Sequence, residues 1–229
     1  MTDATVTEIR DAREVLDPFE VRVLAVLAEK EALTPDSYPL SLNALTNGCN
    51  QLSSRDPVMS ISEETVLDVL QRLVQKKLVA EVRQAGARVI KYEHRMRMRW
   101  SLEHDKLTAL TVLMLRGIQT AGEIRSRSGR IHDFATVAEV EVALQFLIDK
   151  YPPLVARLAR IPGTKEMRYV HLLSGDEIVD RQEMVSAFPS TEVPPRQDRV
   201  GQLEAEVARL HGEIERLSEQ FEQFKKQFN

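Results

Sequence analysis

The chain has 229 residues, enough for two domains of ordinary size, and its 43% hydrophobic and 29% charged residues exclude wholesale disorder. Lys and Arg total 31 against 35 Asp and Glu, a formal charge of -4, so any site for a polyanion must be a local patch that works against the average field. Cys49 is the single cysteine and excludes an internal disulfide. It reads as a packed thiol in a reducing cytoplasm.

Residues 1–16 form a polar leader with no apolar run of a secretory signal, and no later segment is apolar for long enough to cross a bilayer. A soluble cytoplasmic protein without membrane contact is expected. Asp17-Pro18 then starts a helix, because Asp caps exposed amides and Pro is tolerated in the first turn. Phe19, Val23, Leu24, Leu27 and Ala28 are its expected buried stripe. Leu33 to Leu40 carries two prolines and reads as a loop, after which Ser41 caps a short helix bearing Leu42, Leu45, Thr46 and Cys49. A second polar loop leads to Ser60, which with Glu63 fits a capping box for a third helix.

That third helix opens the most informative stretch, Ile61 to His94. Val66, Leu70, Leu73 and Val74 recur on one helical face with Val69 beside them. The period changes at Leu78, where Leu78, Ala80 and Val82 alternate as in a strand. After a Gly86-bearing turn, Val89, Ile90 and Tyr92 supply a second strand. Helix, short helix, longer helix and hairpin in this order make a winged helix-turn-helix. The next segment, Arg95 to Trp100, alternates Arg95, Arg97 and Arg99 with Met96, Met98 and Trp100, and reads as a strand with one positive and one apolar edge.

The same order recurs from Leu102. Leu107, Leu110, Val112, Leu113 and Leu115 mark a helix ending at Arg116-Gly117, and a short helix runs through Thr120 to Arg125. Thr136 and Glu139 fit a second capping box, opening a helix with Val140, Leu144, Phe146, Leu147 and Ile148. A hairpin of Val155 to Ile161 and Met167 to Leu173 closes the copy. The duplication rests on element order, since the two halves share little sequence.

Residues 175–199 are a polar, Pro-bearing connector. In 200–229 apolar residues alternate spacings of three and four: Val200, Leu203, Val207, Leu210, Ile214, Leu217, Phe221, Phe224 and Phe228. This is a heptad seam, which predicts a coiled-coil helix and self-association as a homodimer. The expected architecture is therefore mainly α with small β-hairpins. Its parts are a leader (1–16), a first winged-helix domain with its joining strand (17–100), a second (101–174), a connector (175–199) and a heptad helix (200–229).

In a winged helix the N-terminal turns of the third helix face the bases. Here they carry Glu63, Glu64 and Asp68, and in the second copy Asp133, Glu139 and Glu141 stand in the same region, which opposes ordinary groove reading. The candidate nucleic-acid contacts lie elsewhere: Arg83, Arg88, Lys91, Arg95, Arg97 and Arg99 in the first module, and Arg125, Arg127, Arg130, Lys165 and Arg168 in the second. Arg116, Arg157 and Arg160 extend the second set. Such residues suit phosphate contacts by wings more than base readout. His94, His104, His132, His171 and His211 are scattered, and no phosphate loop, dinucleotide fingerprint or zinc-ligand cluster occurs. No catalytic residue, metal or cofactor is therefore expected. The function that fits best is a dimeric DNA-associated winged-helix protein, a transcriptional regulator contacting duplex DNA through backbone and wings, with a dimeric protein-interaction scaffold that binds no DNA as the alternative.

The run from Pro18 to Val79, PFEVRVLAVLAEKEALTPDSYPLSLNALTNGCNQLSSRDPVMSISEETVLDVLQRLVQKKLV, resembles the bacterial YceH-like family. The likeness extends through the second winged-helix unit, and Tyr38 to Ser53 is its most specific part. The resemblance implies a tandem winged-helix protein and no defined activity. It marks Leu40, Asn43, Asn47, Cys49, Asn50, Arg55, Pro57 and Glu64 as members of the family run, without assigning them a role.

Overall fold

The computed structural model describes residues 15–83, 89–158 and 166–175, together with Arg209 and Arg216. The chain divides into two compact units, residues 1–186 and 187–229. The first contains α1 (Pro18–Leu33), β1 (Leu40–Ser41), α2 (Leu42–Cys49), α3 (Glu63–Gln75), β2 (Val79–Val82), β3 (Lys91–His94) and the short helix α4 (Met96–Trp100). It continues with α5 (His104–Arg116), β4 (Gln119–Thr120), α6 (Ala121–Ser128), α7 (Val137–Ile148), β5 (Val155–Leu158) and β6 (Arg168–His171). The protein is thus mainly helical, with two small antiparallel hairpins in tandem winged-helix modules. Of the second unit, Arg209 and Arg216 are helical and exposed. The connector 176–199 and the seam positions Val200, Leu203, Val207, Leu210, Ile214, Leu217, Phe221, Phe224 and Phe228 lie outside the described residues, as do the wing-tip candidates Arg88 and Lys165.

Each hairpin gains a third strand from the residues just before a helix, giving sheet orders β1-β3-β2 and β4-β6-β5. The loop expected over Leu33 to Leu40 therefore ends in a strand. Leu40 pairs with Tyr92 and Gln119 with Tyr169, while His94 faces Val79 and His171 faces Val155. The central strands β3 and β6 thus share a basic residue, Tyr, any residue, then His, at Lys91–His94 and Arg168–His171. This repeat corroborates the duplication residue by residue.

The helix starts follow their caps. Asp17 accepts from Phe19 and Glu20 amides, and Glu20 reaches back to the Asp17 amide. Ser41 caps α2, and Thr120 and Glu123 form a reciprocal box on α6. Helix α6 runs on to Ser128, three residues beyond Arg125. Two caps differ from the sequence expectation. Asn50 holds Ile61 by both its amide and carbonyl at 2.8 Å, so the chain stays extended there and Ser62, not Ser60, caps α3. At α7, Thr136 accepts from the Glu139 amide, but the Glu139 carboxylate bonds the Ala135 amide one residue earlier. The exit of α3 is equally local: Leu78 donates to the Leu73 carbonyl and Lys77 to that of Val74, with Lys77 in the left-handed region at φ 58°. This helix-terminating motif leaves no loop before β2.

The expected strand over Arg95 to Trp100 is a helix instead. The Arg95 amide closes the sheet on the Leu78 carbonyl, and the chain then turns into α4. Met96 and Trp100 are four apart, so period-two alternation over so short a run also marks one helical face. Met96 is buried and Trp100 packs on the core, while Met98 is 66% exposed.

The core lies around α1 and α5, which pack against each other and against their own modules. Every residue from Glu20 to Glu29 in α1 and from Leu107 to Leu115 in α5 is buried. One hydrophobic cluster runs through both modules. Phe19, expected within the buried stripe, is exposed in the first turn, and Phe146 on α7 is exposed as well. Helix α2 sits close on α1: a Cβ on Gly48 would meet Val26 Cγ1 at 2.6 Å. Gly→Ala in a helix normally gains about 1 kcal/mol, but here the core must yield. Gly48→Ala is expected to destabilise by about 1–3 kcal/mol in urea unfolding, with Val26→Ala in the same chain costing less than the two changes added. A raised midpoint in Gly48→Ala alone would contradict the contact.

His171 is buried and its Nδ1 has no hydrogen-bond partner among the described residues. Burial pushes its pKa down to about 4. The unfolded chain therefore takes up this proton first, and stability present above about pH 6.5 is lost as pH falls towards 4. His171→Leu should flatten the stability profile, sparing about 1–2 kcal/mol by pH 5. Parallel profiles for the two proteins would show that His171 does not set the slope.

Candidate functional site

The residues that carry the family resemblance join α1, α2 and α3. Arg55, buried, forks onto Glu29 with Nη1–Oε1 at 3.2 Å and Nη2–Oε2 at 2.6 Å, and donates to the Gly48, Gln51 and Ser54 oxygens. Burial raises the Glu29 carboxyl pKa, but the Arg55 hydrogen bonds outweigh it and hold the group below the ordinary range. Arg22, buried as well, donates to the carbonyls of Cys49 and Pro57. Asn43 bonds Glu63 and Asn47 bonds Asn43. Polar residues of the Tyr38–Ser53 run and its neighbours are therefore turn-closing and cap-holding groups. Burial pushes the Cys49 thiol up to about 12, which keeps it a protonated, packed group. Among the described residues, no three His, Cys, Asp or Glu side chains gather as a metal site.

The two faces that would read DNA carry the carboxylates expected from the sequence. On α3, Glu63, Glu64, Asp68 and Gln71 are exposed. The cations of that helix are turned to α1: Arg72 pairs with Asp17, and Lys76 with the buried Glu20 at 2.8 Å. On α7 the exposed residues are Val137, Ala138, Glu139, Glu141, Val142, Gln145 and Phe146. Val142 is 67% exposed and borders a cleft of about 270 Å³ floored by Phe134 and Ala138 and edged by Asp105 and Glu139. Lys106 and Lys150 flank the Phe146 ring at 5.5 and 4.9 Å.

The sequence-derived cations are brought together only in part. Arg95 and Arg99 share one face of α4 and, with Lys77, surround a groove of about 610 Å³ floored by Val74, Val79, Ala80 and Met98. Glu81 lines the same groove and pairs with exposed Arg83 at 3.3 Å, and Arg95 pairs with Glu93 at 2.7 Å. Arg97 points the other way, to Glu31 at 3.0 Å and His104 Nδ1 at 3.2 Å. The hydrogen bond from His94 and the nearby Arg97 guanidinium hold the Glu31 carboxyl down to about 2, against the opposing effect of burial. His104 in turn bonds the Ile131 carbonyl, so α1, α4 and the second module are joined by one polar chain. Lys91 is half-buried within β3 and Arg168 within β6.

In the second module Arg125 donates to the carbonyls of Phe134 and Ala135, bracing the loop before α7. Arg127 bonds Gln119 at 2.8 Å and lies 3.5 Å from Glu123. Arg127 and Arg130 meet Arg116 at a small cavity facing Glu29 and Ser54. Sequence reasoning placed Arg55 only near a turn and did not single out Arg22 or Glu29. A charge at an apolar-stripe position, as Arg22 is between Val21 and Val23, was the available signal.

Comparison with known proteins agrees with this picture of a defined fold without a defined activity. A family model described as "Protein of unknown function, DUF480" matches residues 16–164. A UPF0502 protein of Janthinobacterium sp. (strain Marseille) is 64% identical over 91% of this chain and 89% of its own. One from Chromobacterium violaceum is 53% identical over 84% and 86%, and one from Shewanella halifaxensis 44% over 84% and 94%.

Proposed function

The chain belongs to the DUF480 family of unknown function, and we propose that it acts as a protein-docking tandem winged-helix adaptor rather than as a reader of duplex DNA. The observation that carries this reading is the surface of α3 and α7. Both helices present carboxylates, and α7 adds the apolar residues Val137, Val142 and Phe146. A phosphate backbone approaching either face would meet Glu63, Glu64 and Asp68 or Glu139 and Glu141. A partner with apolar anchors and basic edges suits the α7 cleft, because burial of Val142 and Phe146 supplies affinity and Asp105 and Glu139 supply orientation. The proposed activity is binding, without catalysis, metal or cofactor. The narrower likeness to YceH-like chains and a cytoplasmic setting belong to the same reading.

A second reading is favoured by one feature, the groove where Lys77, Arg95 and Arg99 converge near Arg83. There the protein would associate with DNA through backbone and wing contacts, as a regulator. Fluorescence anisotropy of a random duplex over a salt series separates the two. Docking predicts no steep salt-dependent binding, and a photo-crosslinker at Val142 that joins a discrete protein, with the product lost in Phe146→Glu. Duplex binding that weakens roughly a thousandfold between low and physiological salt, and drops further in Lys77→Glu/Arg95→Glu/Arg99→Glu, would reverse the assignment.

The heptad seam of residues 200–229 supports self-association, because one apolar helical stripe is stable only when covered. A homodimer would display two docking faces and raise apparent affinity for a repeated partner. Sedimentation equilibrium should give twice the chain mass for the whole protein and the monomer mass after deletion of 200–229. Monomer mass at both lengths would remove the pairing.

A further inference from the structure

We propose that the cavity bounded by α1, the loop at Ser54, α5 and α6 binds a phosphate-sized oxyanion at the junction of the two modules. The cavity measures about 80 Å³ and is lined by Arg116, Arg127 and Arg130, with Ser54 and Glu29 opposite. Its volume suits one small ion and excludes a nucleoside. The charges around it do not balance. Glu29, the carboxylate on its wall, already accepts both prongs of Arg55 and lies 3.3 Å from Lys30. Arg116 is held by a neutral partner, the Ser54 hydroxyl at 2.5 Å. Arg130 makes no hydrogen bond or ion pair among the described residues. Arg127 has one carboxylate, Glu123, at 3.5 Å.

Burial first, then the like charges of Arg127 and Arg55, pushes the Arg116 pKa below its ordinary value. Arg116 is half-buried and Arg127 and Arg130 are exposed, and a cluster of like charges with one member partly desolvated is stabilised by an anion that accepts several N–H donors at once. Guanidinium groups present such donors in a planar fork that matches phosphate oxygens. The bland alternative is that Arg116 and Arg127 interact with helix C-termini, since they end α5 and α6. That explains why cations stand at these positions. It does not explain their convergence on a cavity with a hydroxyl and no uncommitted carboxylate. The wall combines α1 and the Ser54 loop with α5 and α6, so an occupant would tie the first module to the second. The site stands on its own residues and does not depend on the docking reading.

The experiment is thermal unfolding and calorimetric titration of the full chain with inorganic phosphate, against chloride at matched ionic strength. Arg130→Gln is the first variant, because no hydrogen bond or ion pair among the described residues is lost with it. Saturable stabilisation by phosphate is expected in the wild type, with affinity at least tenfold weaker in Arg130→Gln and an unchanged midpoint in chloride. Arg116→Gln should weaken binding similarly. Adenosine monophosphate should fail to compete. Equal midpoints in phosphate and chloride, or equal phosphate shifts in wild type and Arg130→Gln, would overturn the site, since excluded-solute stabilisation acts on both proteins alike. Competition by the nucleotide as strong as that of phosphate would overturn the assignment to a free ion.

Discussion

The packing of α1 against α5 is the constraint on which the rest of the structure depends. A helix at the edge of a winged-helix module needs only one apolar stripe, yet each of these is buried on all sides over about three turns. Each is therefore the first helix of its own module and also the covering layer for the other. Cross-module backbone bonds accompany the packing: Asp56 donates to the Leu115 carbonyl and Leu16 to that of Leu173. At about 25 cal/mol for each Å² of apolar surface removed from water, separating the modules would expose faces neither can cover alone. The two winged helices behave as one folded body for that reason.

Burial on all sides creates a second demand, because α1 carries Glu20, Arg22 and Glu29 into the interior. An uncompensated buried charge costs several kcal/mol, so each must be answered from elsewhere in the chain. Lys76 answers Glu20, Arg55 answers Glu29, and the carbonyls of Cys49 and Pro57 answer Arg22. Those partners come from α3, the loop after α2 and the end of α2. Arg55, with Gln51 beside it, and the Cys49 and Pro57 carbonyls are thus placed by what α1 buries, while Asn43, Asn47 and Asn50 bond within α2 and to the start of α3. A run that looks functional because it is polar and distinctive is, in this fold, partly the set of groups that lets a charged helix occupy the core and partly the set that joins α2 to the start of α3.

The sequence was most legible where one local signal sufficed. Val66, Val69, Leu70 and Leu73 give α3 because its apolar face repeats with the helical period, and Asp17, Ser41 and Thr120 mark starts because their side chains reach amides two or three residues on. Legibility failed where a distant partner decided. Ser62 rather than Ser60 caps α3 because Asn50, eleven residues earlier, holds Ile61 extended. Arg95 to Trp100 alternates like a strand, and only the buried seat of Met96 beside exposed Met98 selects the helix. The site was less readable still. Arg95 and Arg97 look alike in sequence, but one lines an open groove and the other is committed to Glu31 and His104.

The same distinction bears on how strongly α3 resists DNA. Arg72 and Asp17 are about half and one third exposed, and such a pair contributes at most about 1 kcal/mol, so a phosphate could recruit Arg72 cheaply. Lys76 differs, because its partner Glu20 is almost fully enclosed, and withdrawal of the ammonium would leave that buried carboxylate only the more distant Arg72 at 3.8 Å. The carboxylates Glu63, Glu64 and Asp68 are all exposed on the face, and Asn43 holds Glu63 there. One recruitable cation against three anions leaves the reading face negative whichever way Arg72 turns. Among the described residues of the first module, Lys77, Arg95 and Arg99 converge on one groove, at the opposite end of α3 from the turns a winged helix presents to bases.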